Sequence, residues 1–152
     1  MPKEKSCGAL VFKRYKDGIK YLLLHYKAGH WDFPKGHMEK DEKEKMTASR
    51  ELREETGIED AEFVDEFREV ISYYYKRDSE TIFKEVVFFL VQSATDEVRL
   101  SSEHIGYAWL NYGHAEKKLT FSNAKELLKK ADKFVNGSKF RFALDSRRQM
   151  PS

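Results

Sequence analysis

Glu51, Glu54 and Glu55 stand at i, i+3 and i+4 in a stretch of helical character. That spacing gathers three carboxylates within one helical turn. Like charges at such range repel, and the repulsion is relieved when a divalent cation sits among them. All-oxygen ligands suit a hard ion, Mg2+ first and Mn2+ second, whereas zinc would want His or Cys. Mg2+ keeps several waters and tends to bridge carboxylates to substrate phosphates, so the pattern points to phosphate chemistry. Arg50 precedes Glu54 by four residues and is expected to pair with it, while Glu42 and Glu44 lie further up as supporting acids. Gly36 either lets the backbone approach a metal or phosphate closely or is an ordinary turn glycine. The competing reading is a solvated acidic face balanced by Lys40, Lys43, Lys45 and Arg53; the complete spacing and the Gly36 loop favour the metal site.

The elements that must position these acids follow from periodicity. A helix is expected from Asp41 to about Thr56, with Asp41 and Glu44 at capping-box spacing and Gly57 placed for the C-cap. Its apolar stripe of Ala48, Leu52 and Thr56 is narrow for a helix built only to pack. Before it, Cys7 to Tyr15 and Ile19 to Tyr26 read as strands joined by an Asp17-Gly18 hairpin turn. Ala28 to Phe33 reads as a loop or short strand, and Pro34 imposes an extended entry to Gly36. After the helix, Glu62 to Tyr75 alternates as a long strand, and a polar turn leads to a strand over Thr81 to Gln92, whose VVFFLV run suggests a central place in the sheet. Val98 to Leu100 is read as a short strand, Ser101 to Gly106 as a loop, and Tyr107 to Asn111 as a strand with Trp109 facing the core. Gly113 to Leu119 is read as a short helix, and Asn123 to Val135 as a longer one with a second capping-box spacing at Asn123 and Glu126.

The 152 residues fit one domain, with 40% hydrophobic and 14% aromatic residues arguing against disorder. Residues 1–138 are taken as the domain and 139–152 as a tail, packed at an edge or frayed. A net charge of +2 does not by itself imply nucleic-acid or membrane binding. No apolar run approaches the ~18 residues of a membrane span. The N-terminus lacks a signal-peptide core, and Cys7, the only cysteine, excludes an intramolecular disulfide and a cysteine-rich zinc site. A cytoplasmic monomer is the expectation.

Written out, Gly36 to Ile58 follows G-x5-E-x7-R-E-L-x-E-E-x-G-I, a pattern that resembles the signature of the Nudix hydrolases at every fixed position. The resemblance implies an α/β class, an α/β/α sandwich with a central mixed sheet and a loop-helix-loop catalytic motif. It also implies cleavage of a pyrophosphate in a nucleoside diphosphate linked to another moiety, with Glu51, Glu54 and Glu55 on the metal. The general base comes from the motif or from a later loop.

Outside the motif, SCGALVFKR, YLLLHY, HWDFPKGHME and SSEHIGYAWL resemble the asymmetrical diadenosine tetraphosphate (Ap4A) hydrolases of the animal and archaeal type, over residues 6–137. That resemblance implies a small nucleotide substrate and places Tyr73 or Tyr75 and Phe121 against a base, with His30, Lys35 and Lys84 near the phosphates. It makes Glu103 a loop acid that reaches the metal or serves as base. Strand alternation puts Tyr73 and Tyr75 on one face, opposite Tyr74. Each has an ordinary alternative: β-forming tyrosines, a hydrophobic staple at Phe121, a loop histidine, a solvated lysine. His25, His37, His104 and His114 are given no role. The expected reaction is Mg2+-dependent hydrolysis of Ap4A to ATP and AMP. The alternatives are attack on an RNA 5′-triphosphate end, or a non-catalytic nucleotide sensor.

Overall fold

The computed structural model describes residues 2–137, so the reading of the tail lies outside the described residues. The elements are β1 (Lys3–Tyr15), β2 (Gly18–Tyr26), β3 (Trp31–Asp32), β4 (Lys35–His37), α1 (Glu44–Thr56), β5 (Glu62–Arg77), β6 (Glu80–Gln92), β7 (His104–Leu110), α2 (Tyr112–Lys118) and α3 (Ser122–Asn136). The strands form one mixed sheet ordered β3-β2-β1-β6-β5, with β4 paired to β1 and β7 to β2. β1 and β6 run parallel; the other pairs are antiparallel. Strand β6 therefore sits between β1 and β5, as its uninterrupted apolar run predicts.

Alternation along the strands builds two apolar layers. Leu10, Leu23, Val86 and Phe88 face α2 and α3, which contribute Ala115, Leu127, Leu128 and Val135, with Leu119 just past α2. Ala9, Leu22, Leu24 and Val91 face the other way, where Leu52 of α1 packs on them, and Ala48 packs with Cys7 and Val87. The result is the expected α/β/α sandwich. No helix of the described residues is long and apolar enough to cross a membrane.

One feature of the topology creates the site. β1 pairs with β2 only from Phe12 to Tyr15, and its earlier residues Ser6 to Gly8 pair with β4 instead. β2 in turn pairs with β3 at Leu24 and His25. The two strands diverge, and the short pieces β3 and β4 fill the wedge between them. Pro34 carries the chain from one to the other, its carbonyl accepting the Ala9 N–H at 3.1 Å. Lys35 and Gly36 are thus held in the sheet immediately before the loop into α1.

The observed elements differ from the sequence reading in several places. β1 starts at Lys3, because its charged first residues still complete the parallel ladder with β6. α1 starts at Glu44 with Lys43 as N-cap, and the Asp41–Glu44 capping box does not form. Asp41 has a positive φ of 67° outside the helix. Val98 to Leu100 is not a strand; Val98 and Leu100 pack under the sheet while the Arg99 N–H reaches Thr56 O at 2.8 Å. β7 starts at His104, inside the stretch read as a loop. α3 starts at Ser122 with Phe121 as N-cap and no side-chain cap, so the Asn123–Glu126 box is also absent. Gly57 ends α1 as expected, with φ 78° and its N–H on Arg53 O.

Candidate active site

α1 presents its acids toward the wedge between β1 and β2. Glu55 is buried, 3% exposed; its Oε2 accepts the backbone N–H of Lys35 at 3.0 Å. Burial, first, and then the charges of Glu51 and Glu103 push its carboxyl up to about 9. Glu51 is half-buried and its carboxyl is likewise raised, chiefly by burial, with Glu54 and Glu103 adding to the effect. Glu103 is exposed on the loop before β7, close enough for its charge to act on both. Glu51 thus feels the charges of Glu54 and Glu103, and Glu55 those of Glu51 and Glu103.

Gly36 is where this cluster meets the sheet. A Cβ there would lie 2.0 Å from Glu51 Cδ and 2.3 Å from each carboxylate oxygen, so the carboxylate occupies the space that glycine leaves open and any other residue would displace it.

Arg50 organises the rest. It donates Nε to Glu42 Oε2 at 2.7 Å and Nη2 to Glu42 Oε1 at 3.1 Å, a two-point fork. Its Nη1 reaches Glu51 Oε1 at 2.9 Å and Glu54 Oε2 at 3.1 Å, and Nη2 also reaches His37 O at 2.9 Å. The expected Arg50–Glu54 pair forms within this larger network. Glu42 also accepts from Thr47 Oγ1 and from the Glu39 N–H. This explains the missing capping box, because the turn before α1 is shaped around Glu42, not Asp41. The Arg50 guanidinium holds the Glu42 carboxyl down at about 2. Glu44 points elsewhere, pairing with Arg68 at 2.7 Å and Lys5 at 2.8 Å. A lysine has no planar fork to replace Arg50. Arg50→Lys is expected to cost about 1–3 kcal/mol of stability in denaturant unfolding, between exposed and buried pairs; an unchanged midpoint would refute the organising role.

Among the described residues, no three His, Cys, Asp or Glu side chains already converge into a closed metal-binding group; Arg50 sits between Glu51 and Glu54. The donor set nonetheless fits a hard divalent cation. It is all oxygen, it carries uncompensated buried acid at Glu55, and the Gly36 cradle leaves Glu51 room. Mg2+ needs only one or two protein carboxylates, the remainder coming from water and phosphate.

On the α3 side of the sheet, beside β4, lies a cavity of about 190 Å3. Its lining combines apolar Val86 and Phe88, aromatic Tyr73 and Phe121, and charged Asp32 and Lys35. Phe121 is 44% exposed; as the N-cap residue of α3 it offers its ring to the cavity and to His30, 5.4 Å away. His30 stacks on Tyr26 at 4.5 Å, and burial lowers its pKa. Lys35 Nζ is held by Asp32 at 3.1 Å.

The structure separates residues that alternation alone grouped. Tyr75 lies beside Tyr73, with ring centroids 6.4 Å apart, but does not line the cavity; its hydroxyl donates to Glu4. Lys84 is the cross-strand neighbour of Tyr73. It too is off the cavity lining, half-buried with Nζ 3.9 Å from Glu4. Burial lowers its pKa, and Lys35 is near enough to add to that shift.

His104 has no role in the sequence pattern, yet the fold brings it to the acids. It is buried at the start of β7, with Nδ1 3.0 Å from Ser101 Oγ and Nε2 3.8 Å from Glu55 Oε1. The only sequence signal was its place next to Glu103.

Comparison with known proteins gives the family. The model of the NUDIX domain matches residues 3–131. The chain is 34% identical to the mouse (Mus musculus) bis(5′-nucleosyl)-tetraphosphatase (asymmetrical) over 143 residues, covering 86% of this chain and 95% of the relative. It is 30% identical to the Caenorhabditis elegans protein of the same name over 138 residues, covering 88% and 97%. The crystal structure of a C. elegans Ap4A hydrolase binary complex superposes with a TM-score of 0.77 at 28% identity, covering 87% of this chain and 97% of that one.

Proposed function

The chain belongs to the NUDIX family, and on that premise we propose that it hydrolyses dinucleoside polyphosphates, Ap4A to ATP and AMP, with the help of Mg2+ or Mn2+. The observation that carries this reading is the placement of Lys35. Its backbone N–H holds Glu55 of the acidic cluster, its Nζ pairs with Asp32, and both Lys35 and Asp32 line the aromatic cavity. A base between Tyr73 and Phe121 therefore leaves its phosphates running past Lys35 toward the acids. A cavity of about 190 Å3 is below the ~300–1,000 Å3 of sites that enclose whole drug-sized ligands. It suits one nucleobase, with the remainder of the substrate along the open cleft. Relatives that carry the asymmetrical tetraphosphatase name, the mouse and C. elegans proteins among them, support the same substrate.

Glu51, Glu54 and Glu55, with Glu103, would hold the cation, which when bound neutralises phosphate charge and acidifies water. The protein's own groups do the remainder. Lys35, His30 and Lys84 supply positive or hydrogen-bonding partners to the polyphosphate. Tyr73 and Phe121 fix the base, and so the phosphorus presented for attack. A water oxygen bonds to the phosphorus next to one adenosine, and the bond from that phosphorus to the oxygen of the ATP portion breaks. The water's proton passes to an acid of the cluster. Glu103 is the exposed candidate, outside the hydrogen bonds that tie Glu51 and Glu54 to Arg50 and Glu55 to Lys35.

The test is a panel of Ap4A, 5′-triphosphorylated RNA and ADP-ribose with Mg2+, the products resolved by chromatography. ATP plus AMP in equal amounts is expected from Ap4A. Two ADP would overturn the asymmetric cut, and faster turnover of the RNA end would reassign the substrate. Tyr73→Ala or Phe121→Ala is expected to raise KM for Ap4A by about 5- to 150-fold, the ~1–3 kcal/mol of one base stacked on an aromatic ring, with a smaller change in kcat. An unchanged KM in both variants would remove the cavity from the substrate path.

A further inference from the structure

His104 Nε2 is the one buried side-chain nitrogen or oxygen, among the described residues, left without a hydrogen-bond partner. Leaving such an atom unpaired is destabilising, and native structures rarely keep one without a use. Its surroundings define the use. Ser101 Oγ accepts the Glu103 N–H at 3.3 Å, and its own proton can point at His104 Nδ1, 3.0 Å away. With Nδ1 accepting, the ring is the Nε2–H tautomer. That N–H faces Glu55 Oε1 across 3.8 Å, beyond hydrogen-bond range but with no other buried partner. Tyr26 meets the ring edge-on at 4.4 Å and limits its rotation. The backbone ties the same parts together, since the His104 N–H reaches Ser101 O and the Ser101 N–H reaches Glu55 O, each at 3.2 Å.

We propose that His104 is a positioning residue for Glu55: its Nε2–H, oriented by Ser101, closes onto Glu55 Oε1 when that carboxylate engages the divalent cation. Glu55 then has one oxygen on the Lys35 N–H and the other steadied by His104, so the carboxylate plane is set from both sides. Outer partners of this kind orient metal-binding side chains and raise their affinity. The chain Glu103 N–H to Ser101 to His104 to Glu55 also links the loop that bears Glu103 to the end of α1. This proposal rests on the cation-dependent reading of the site and concerns what supports it.

The test compares His104→Leu, which fills the space without an N–H, with His104→Gln, whose side-chain amide reaches the place of Nε2. Mn2+ binding is measured without substrate, from the decrease of the free-ion electron paramagnetic resonance signal, alongside thermal unfolding in chelator and kinetics with Ap4A. His104→Leu is expected to weaken Mn2+ binding by about 10- to 100-fold and lower kcat with little change in KM. It should leave unfolding in chelator unchanged or at higher temperature, because an unpartnered polar atom has gone. His104→Gln should recover most of the Mn2+ affinity. If His104→Leu does not fold, Ser101→Ala, which removes only the hydroxyl that sets the tautomer, is expected to weaken Mn2+ binding in the same direction. Wild-type Mn2+ affinity in His104→Leu, or equal losses in Leu and Gln, would overturn the positioning role. Failure of the wild-type protein to bind Mn2+ would instead overturn the cation-dependent reading itself.

Discussion

Glu55→Gln is expected to lower kcat for Ap4A by about 10^3-fold or more while the protein stays folded. The amide keeps the shape of the carboxylate and keeps an acceptor for the Lys35 N–H, 3.0 Å away in the native protein. What it loses is the charge at the most enclosed position of the acidic cluster. Stabilisation of phosphoryl charge by a bound cation is worth several kcal/mol, and each 1.36 kcal/mol is a factor of ten in rate. The stability of the metal-free protein separates this effect from damage to the fold. Glu55 has its carboxyl raised from 4.5 to about 9 in the folded state. Between those values the folded protein holds a proton that the unfolded chain releases, so this group's contribution falls as pH rises from about 5 to 9. In chelator, Glu55→Gln is therefore expected to unfold at the same temperature as the wild type near pH 4 and at a higher one near pH 8. Added Mn2+ should raise the unfolding temperature of the wild type and have little effect on the variant. Full turnover by Glu55→Gln would end the assignment of this cluster to catalysis.

The contrast between Glu55 and Tyr75 shows what the linear sequence reveals. Glu51, Glu54 and Glu55 are local to one helix, so their spacing alone predicts a shared field, and the helix delivers it. Gly36 and the Arg50–Glu54 pair are nearly as local. Tyr75 also obeys a local rule, lying on the same side as Tyr73. Yet its hydroxyl is taken by Glu4, which is there because β1 extends back to Lys3 and pairs in parallel with β6, Glu4 opposite Lys84. Nothing in the charged KEKS segment signals a parallel partner so far along the chain. His104 escaped for the same reason. Its contact with Glu55 depends on a loop folding back under the end of α1, through Arg99 and Ser101 to Thr56 and Glu55. The capping boxes failed differently. The motif Asp41–Glu44 was present, but Arg50 with four acids within reach outweighed a cap worth about 1 kcal/mol, and the turn formed around Glu42.

Gly36→Ala tests whether the sheet and the acids form one site. Gly36 is paired opposite Cys7 in the β1–β4 ladder and is not among the residues of positive φ. Alanine therefore meets no backbone strain and no loss of main-chain hydrogen bonds. The entire effect comes from its Cβ, which would stand 2.0 Å from Glu51 Cδ. The carboxylate has to give way, because the strand is fixed on β1. It cannot do so freely, since Arg50 Nη1 holds Glu51 Oε1 at 2.9 Å and is itself anchored on Glu42. Overpacking of this sort costs about 1–3 kcal/mol, and a displacement near 1 Å at a catalytic centre costs about 10^2-fold in rate. The expected result is a folded protein with kcat down about 100-fold and KM for Ap4A little changed, because the aromatic cavity lies on the other side of Lys35. Shortening the displaced acid should relieve the clash. Glu51→Asp in the Gly36→Ala background is expected to lose less than the two single losses combined, a coupling that a double-mutant cycle reads directly. Strict additivity of the two changes, or an unchanged kcat in Gly36→Ala, would mean that Glu51 does its work away from the β4 strand and that the wedge between β1 and β2 is not the seat of the reaction.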